Sequence, residues 1–216
     1  IKNRNKLIER YNVVDKLLNE VNKSSFSRST DQTEKEIGEE MMPVFDIIIN
    51  ALNRNDYGTA RLGINKIKSF FIDSLLMDIM DKMDKDTENQ VNVYLSREIK
   101  RISKICILRD EEDVFDLIIS SLGEMGTKAA EVNFIDTAKY MMGSLVFIGE
   151  EALSKKWCSR VNNVSTHLQI IGRTIINSLP KNLPDMDQEE AFSVFKSIEY
   201  FGSRCLSLDF IDEATY

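Results

Sequence analysis

Apolar side chains recur at steps of three and four along nearly the whole chain, the period that draws one stripe down a helix. Leu7, Tyr11, Val14, Leu18 and Val21 predict a first helix. After a polar stretch from Ser24 to Thr33, Ile37, Met41, Val44, Ile48 and Ala51 predict a second. Ser29, Thr30 and Asp31 suit its N-cap, and Glu34 continues a capping-box pattern. Pro43 lies inside this helix and should kink or restart it, because its ring removes a hydrogen bond and crowds the preceding turn. Asn53 to Gly58 reads as a turn. Ala60, Ile64, Ile67 and Phe71 open a third helix expected to reach about Asp84, and Leu95, Ile99, Ile102 and Cys106 carry a fourth.

The charged break Arg109-Asp110-Glu111-Glu112-Asp113 reads as a helix junction, and the stripes after it are more regular. Phe115, Ile118, Leu122, Met125, Ala129 and Val132 form one; Phe134, Ala138, Met141, Leu145, Ile148 and Ala152 form the next. Val161, Val164, Leu168, Ile171 and Ile175 follow. Beyond Pro180 and Pro184 come Ala191, Val194, Ile198, Phe201, Cys205 and Leu208. A second apolar row in the Phe134 helix, Ile135, Met142, Val146 and Leu153, predicts that it is central and covered on two sides. The expectation is an all-α chain of about eight antiparallel helices, built as a repeat-like α-solenoid or a multi-helix bundle. It reads as one helical domain over residues 1–216, with a sub-boundary near 109–113 separating two four-helix halves.

Two self-similarities sharpen this picture. The segment Val44 to Leu52 matches Val114 to Leu122 at six of nine positions. A shorter pattern, apolar-x-x-apolar-Gly, ends at Gly126, Gly149, Gly172 and Gly202, the first three 23 residues apart. Glycine inside a helix costs about 1 kcal/mol relative to alanine, so its return at one register predicts close helix-to-helix approach there. The period of one helix and a short turn implies successive antiparallel helices side by side.

Composition supports helices and removes several functions. With 9 glycines and 3 prolines in 216 residues, turn-forming positions are scarce, and 43% hydrophobic residues suffice for a packed core. The formal net charge of −7 argues against nucleic-acid binding, which needs a basic surface to displace counterions from phosphates. Cys106, Cys158 and Cys205 are far apart and form no CxxC pair, so they read as small apolar groups in a reducing, cytoplasmic setting. No apolar run approaches the roughly 20 residues that span a bilayer. The chain opens on Ile1 and the basic run Lys2-Asn3-Arg4-Asn5-Lys6, which reads as continuing upstream, where a membrane-attaching segment could precede Ile1.

Chemistry leaves little trace. His167 is the only histidine, which rules out a multi-histidine metal site, and it reads as a structural side chain near the Val161 stripe. The stretch from Asp81 to Glu88 superficially resembles a calcium loop, yet Asn89 stands where the turn glycine belongs and Leu95 where the bidentate glutamate belongs. It is read as a helix end and solvated turn. Adjacent acids such as Glu39 and Glu40, or Glu150 and Glu151, diverge around a helix and do not pair for acid–base work. No phosphate-binding glycine loop occurs, and no cofactor is expected. Arg97, Lys100, Arg101 and Lys104 form a basic stripe on the fourth helix. This is the candidate interaction surface, for an acidic partner, RNA or anionic lipid headgroups, with a plain solvated face as the simpler reading.

The segment from Ala51 to Asn65 contains Asn55, Asp56, Thr59 and Ala60. It resembles the soluble helical part of the DUF2254-like group of prokaryotic membrane proteins of unknown function, in which an Asn-Asp-Pro-x-Thr-Ala turn opens a helix. Tyr57 replaces the proline and Asn65 an aspartate, and the likeness covers about 15 residues. Asp56 or Thr59 also suits a helix cap. The later helices resemble HEAT-like repeats, and both likenesses imply a scaffold or cytoplasmic domain. The functional expectation is therefore a non-enzymatic protein-interaction or scaffold domain, partnered by another protein or by itself. The alternative is a small-ligand sensor with an apolar pocket in which Met41, Met42, Met141 and Met142 take part.

Overall fold

The computed structural model describes residues 30–73, 84–178 and 185–207. Among these, seven helices account for almost every residue and no strand occurs: α1 Thr30–Asn53, α2 Tyr57–Phe70, α3 Lys85–Leu108, α4 Glu112–Glu131, α5 Ile135–Ser154, α6 Cys158–Ser178 and α7 Asp185–Ser207. The all-α expectation holds, and the helices pack on one another as a helical bundle. The helix expected at Leu7 to Val21 lies outside the described residues, as does the far end of the third, which continues past Phe70 through a wide turn at 71–73.

Two local expectations are corrected. Pro43 does not restart its helix, because α1 runs unbroken from Thr30 to Asn53. The proline sits on an exposed position of the helix. Asp84 is not the end of a helix but the N-cap of α3, so Lys85 to Glu88 form its first turn. The Asp84 carboxylate accepts from the Thr87 N–H at 2.8 Å and from its hydroxyl at 2.9 Å. Asp56 caps α2 in the same way, through the Thr59 N–H at 3.3 Å and hydroxyl at 3.0 Å. In both Asp-x-x-Thr caps the threonine is buried, so each helix start is fixed to the core.

Four helix junctions share one construction. Asn55, Asp110, Asn133 and Lys156 each adopt positive φ, between 53° and 68°. The N–H of each reaches back three residues and the N–H of the next residue reaches back five. These bonds run from Asn55 to Leu52 and Asp56 to Ala51, from Asp110 to Ile107 and Glu111 to Cys106, from Asn133 to Ala130 and Phe134 to Ala129, and from Lys156 to Leu153 and Trp157 to Ala152. This is the Schellman closure, in which a left-handed residue satisfies the last carbonyls of a helix. The carbonyl reached by the longer bond belongs in every case to a small buried residue: Ala51, Cys106, Ala129 or Ala152. Cys106 is thus a member of a set otherwise made of alanines.

The same register recurs at each corner, and at three of them it places the two residues in contact. Seven residues before the left-handed position stand Ile48, Ser103, Gly126 and Gly149; eight after it stand Gly63, Ile118, Met141 and Val164. Each pair joins one small and one large residue. A Cβ added to Gly63 would lie 2.5 Å from Ile48 Cγ1, one on Gly126 would lie 3.0 Å from Met141 Cβ, and one on Gly149 would lie 3.0 Å from Val164 Cγ1. The corners therefore fold consecutive helices back as antiparallel neighbours at close approach.

The chain divides into two compact units, residues 1–121 and 122–216, and the division falls within α4. In the first, α1 packs on α2 and α3 around Phe45, Phe71, Leu95 and Phe115, each at most 1% exposed. Burial of each such side chain contributes about 1.5–3 kcal/mol. Phe45 meets the Tyr94 ring edge-on at 5.8 Å, and Arg109 reaches from the end of α3 to Asn55 at the end of α1, so α1 and α3 run in the same direction. In the second unit α5 packs on both α6 and α7, and α6 on α7. Met142 and Leu153, from the second apolar row of α5, are buried along with Met141, Leu145 and Ile148.

Candidate functional site

The basic stripe belongs to the outward side of α3, whose other side carries the buried row Leu95, Ile99, Ile102 and Cys106. Arg97, Arg101 and Lys104 are exposed and Lys100 is half-buried, with burial lowering the pKa of its amine. The structure adds a member that the stripe's spacing did not reveal. Glu98 is 7% exposed and lies between two of the cations, with its carboxylate 3.0 Å from Arg97 Nε and 3.4 Å from Arg101 Nη1. The Arg97 guanidinium also lies 5.2 Å above the Tyr94 ring. Burial, and secondarily the charge of Glu98, push the Tyr94 phenol up to about 12, while Arg97 acts the other way. Two of the four cations are thus held in place by one carboxylate and one aromatic ring.

A second polar cluster joins two corners of the first unit. Arg109 donates to Asn55 Oδ1 at 2.7 Å and to the Asn53 carbonyl at 3.3 Å, and Arg61 donates to Asp113 at 2.6 Å with Glu111 at 3.9 Å. Asn55, one of the positions carrying the resemblance noted in the sequence, is here a left-handed corner residue, and Asp56 and Thr59 are a cap. The Arg109 bonds and the Arg61–Asp113 pair are solvent-exposed and fix corner geometry more than they stabilise.

Among the described residues, no group of three or more His, Cys, Asp or Glu side chains is arranged to hold a metal ion. His167 is half-buried with its ring seated against Gly123; a Cβ on that glycine would coincide with the ring. Burial lowers the His167 pKa, partly countered by Glu124. Cys106 is buried, and that burial, with Glu111 nearby, pushes its thiol up to about 12; Cys205 is half-buried and Cys158 exposed. Met141 and Met142 are packed in the core of the second unit, whereas Met42 is half exposed. No helix among the described residues is long and apolar enough to cross a membrane.

The stripe reading of α7 missed its outer side. Val194 and Phe201 are buried, but Phe195 is 54% and Leu206 58% exposed, on one helix face with Gly202 between them. Tyr200, also exposed, donates to Glu150 Oε1 at 2.7 Å, beside Arg204 at 3.7 Å. The signal that could have found this face was a second apolar row, like that read in α5.

No protein-family model matches this chain, and no curated protein matches it. Among solved structures it is similar to one described as "DHF58 filament", with a TM-score of 0.45 and 14% identity over 94% of this chain and 96% of that one.

Proposed function

We propose that this chain is a non-enzymatic interaction domain, a scaffold of like-built helix corners that presents fixed side chains to another protein chain. One observation carries the reading: Phe195 and Leu206 stand exposed on a single face of α7, while Val194 and Phe201 anchor that helix in the core. Large apolar side chains displayed together on a rigid element mark contact surfaces. The three free cysteines agree with a reducing, cytoplasmic setting.

The test is capture from a native extract on immobilised chain, comparing the wild type with Phe195→Ser/Leu206→Ser. A scaffold retains a defined protein on the wild type and loses it on the variant. Retention of the same set by both, or of nothing under any native condition, refutes the reading.

A further inference from the structure

We infer that the partner of α7 is a second copy of this chain, bound as an antiparallel two-fold pair in which Phe195 of each copy enters the hollow at Gly202 of the partner subunit. The inference rests on the interaction-domain reading and names its partner.

The helices of the second unit show what such a glycine receives. A Cβ on Gly126 would meet Ile171 at 2.7 Å, one on Gly149 would meet the Phe201 ring, and one on Gly172 would meet Ile198 at 2.8 Å. Each glycine is a hollow filled by a bulky side chain from a later helix. Gly202 ends the same apolar-x-x-apolar-Gly pattern on α7, yet among the described residues a Cβ built there meets nothing within 4 Å. Close approach, expected for all four glycines, is therefore found at three. The fourth lacks a following helix among the described residues.

The α7 face carries both halves of a contact. Phe195 lies two turns before Gly202 and Leu206 one turn after it, so a protruding ring and an open hollow share one line. A two-fold axis near Ile198 and Glu199 sets each Phe195 opposite the partner's Gly202, as the isologous geometry of a closed dimer requires. The Phe201 ring over Gly149 shows that this fold already seats a phenylalanine in such a hollow. Charge agrees: Lys196 and Glu199 are exposed on one flank of the stripe, and the axis brings Lys196 of one copy beside Glu199 of the partner subunit, twice.

Sedimentation equilibrium on the full chain at about 100 μM tests this, because mass action favours a dimer at such concentrations. The wild type should have twice the mass of one chain. Gly202→Leu should be monomeric and, at dilutions where the wild type is monomeric too, melt higher, since it replaces glycine in an uncrowded helix position; that opposition separates lost association from lost folding. Phe195→Ser should be monomeric. Lys196→Glu should weaken the dimer, and the swap Lys196→Glu/Glu199→Lys should restore it. A monomeric wild type, a dimer that survives Gly202→Leu, or assemblies growing beyond two would each overturn the inference. A monomer that still captures a different protein would leave the interaction-domain reading standing.

Discussion

Replacing Lys156 with glycine should give a more stable protein than replacing it with alanine, the reverse of helix-propensity order. Lys156 holds the left-handed position of the α5–α6 corner with φ 58°, where the other three corners place Asn55, Asp110 and Asn133. Short polar side chains tolerate this conformation, whereas a long aliphatic stem brings only the clash between Cβ and the following carbonyl, at about 1–2 kcal/mol. Glycine removes the clash but gains freedom in the unfolded chain, which offsets about 0.5–1 kcal/mol. The net advantage over alanine is about 0.5–1 kcal/mol. Alanine is the proper reference because both substitutions lose the same charge near the carboxyl end of α5, a term of about 0.3–1 kcal/mol. The bonds from the Lys156 N–H to Leu153 and from the Trp157 N–H to Ala152, each 3.0 Å, are backbone and survive either change. Equilibrium urea unfolding measures the difference, and melting points should differ by about 1–4 °C. If the alanine variant equals or exceeds the glycine variant, Lys156 does not hold a left-handed corner, and the common construction of the four junctions fails.

Four further outcomes follow from the same structure. Gly143→Ala, where an added Cβ meets nothing within 4 Å among the described residues, should stabilise by about 0.5–1 kcal/mol. Gly149→Ala, which drives a methyl into the Phe201 ring and Val164, should destabilise by about 1 kcal/mol or more in the same unfolding assay. Hydrogen bonds from Thr87 hold the Asp84 carboxyl below its ordinary 3.8, so its cap contributes above that value and is lost as pH falls through it towards the lower folded value. Asp84→Asn should flatten this acid limb in helicity melts; parallel profiles would show that the cap does not titrate. Thiol labelling of native protein should modify Cys158 first, Cys205 more slowly and Cys106 only on unfolding. Early labelling of Cys106 would contradict its place beneath the α3–α4 corner.

The stripes were legible because burial on one side of a helix leaves a three-to-four period that nothing else in a chain imitates. All five of Val161, Val164, Leu168, Ile171 and Ile175 are buried as the spacing requires. The corners were less legible. Their defining residue is glycine in none of the four, and Asn, Asp and Lys also occur in ordinary solvated turns. The Val44 and Val114 echo is instructive in this respect. Positions one, two, five, six, eight and nine are buried in both copies, yet the first copy closes α1 before a corner and the second opens α4 after one. The likeness records a shared packing face and not a shared place in a repeat unit. The repeat that does exist is written as a small–large exchange, with Ile48 and Gly63 inverted relative to Gly126 and Met141, and a search for identical residues passes over it.

The candidate surfaces were hidden for a different reason: a one-dimensional pattern gives a residue's side of a helix but not what stands opposite. The stripe of Arg97, Lys100, Arg101 and Lys104 reads as uniformly basic until Glu98 is seen turned between Arg97 and Arg101. A second apolar row means a second neighbour, and in α5 that inference is satisfied inside the unit by α6 and α7. The same row exists in α7 as Phe195, Gly202 and Leu206, and there the described residues supply no neighbour. An apolar row facing a helix and an apolar row facing solvent are the same sentence in sequence. What separates them is the neighbour: the Phe201 ring lies against the Gly149 position, whereas among the described residues nothing lies within 4 Å of a Cβ on Gly202.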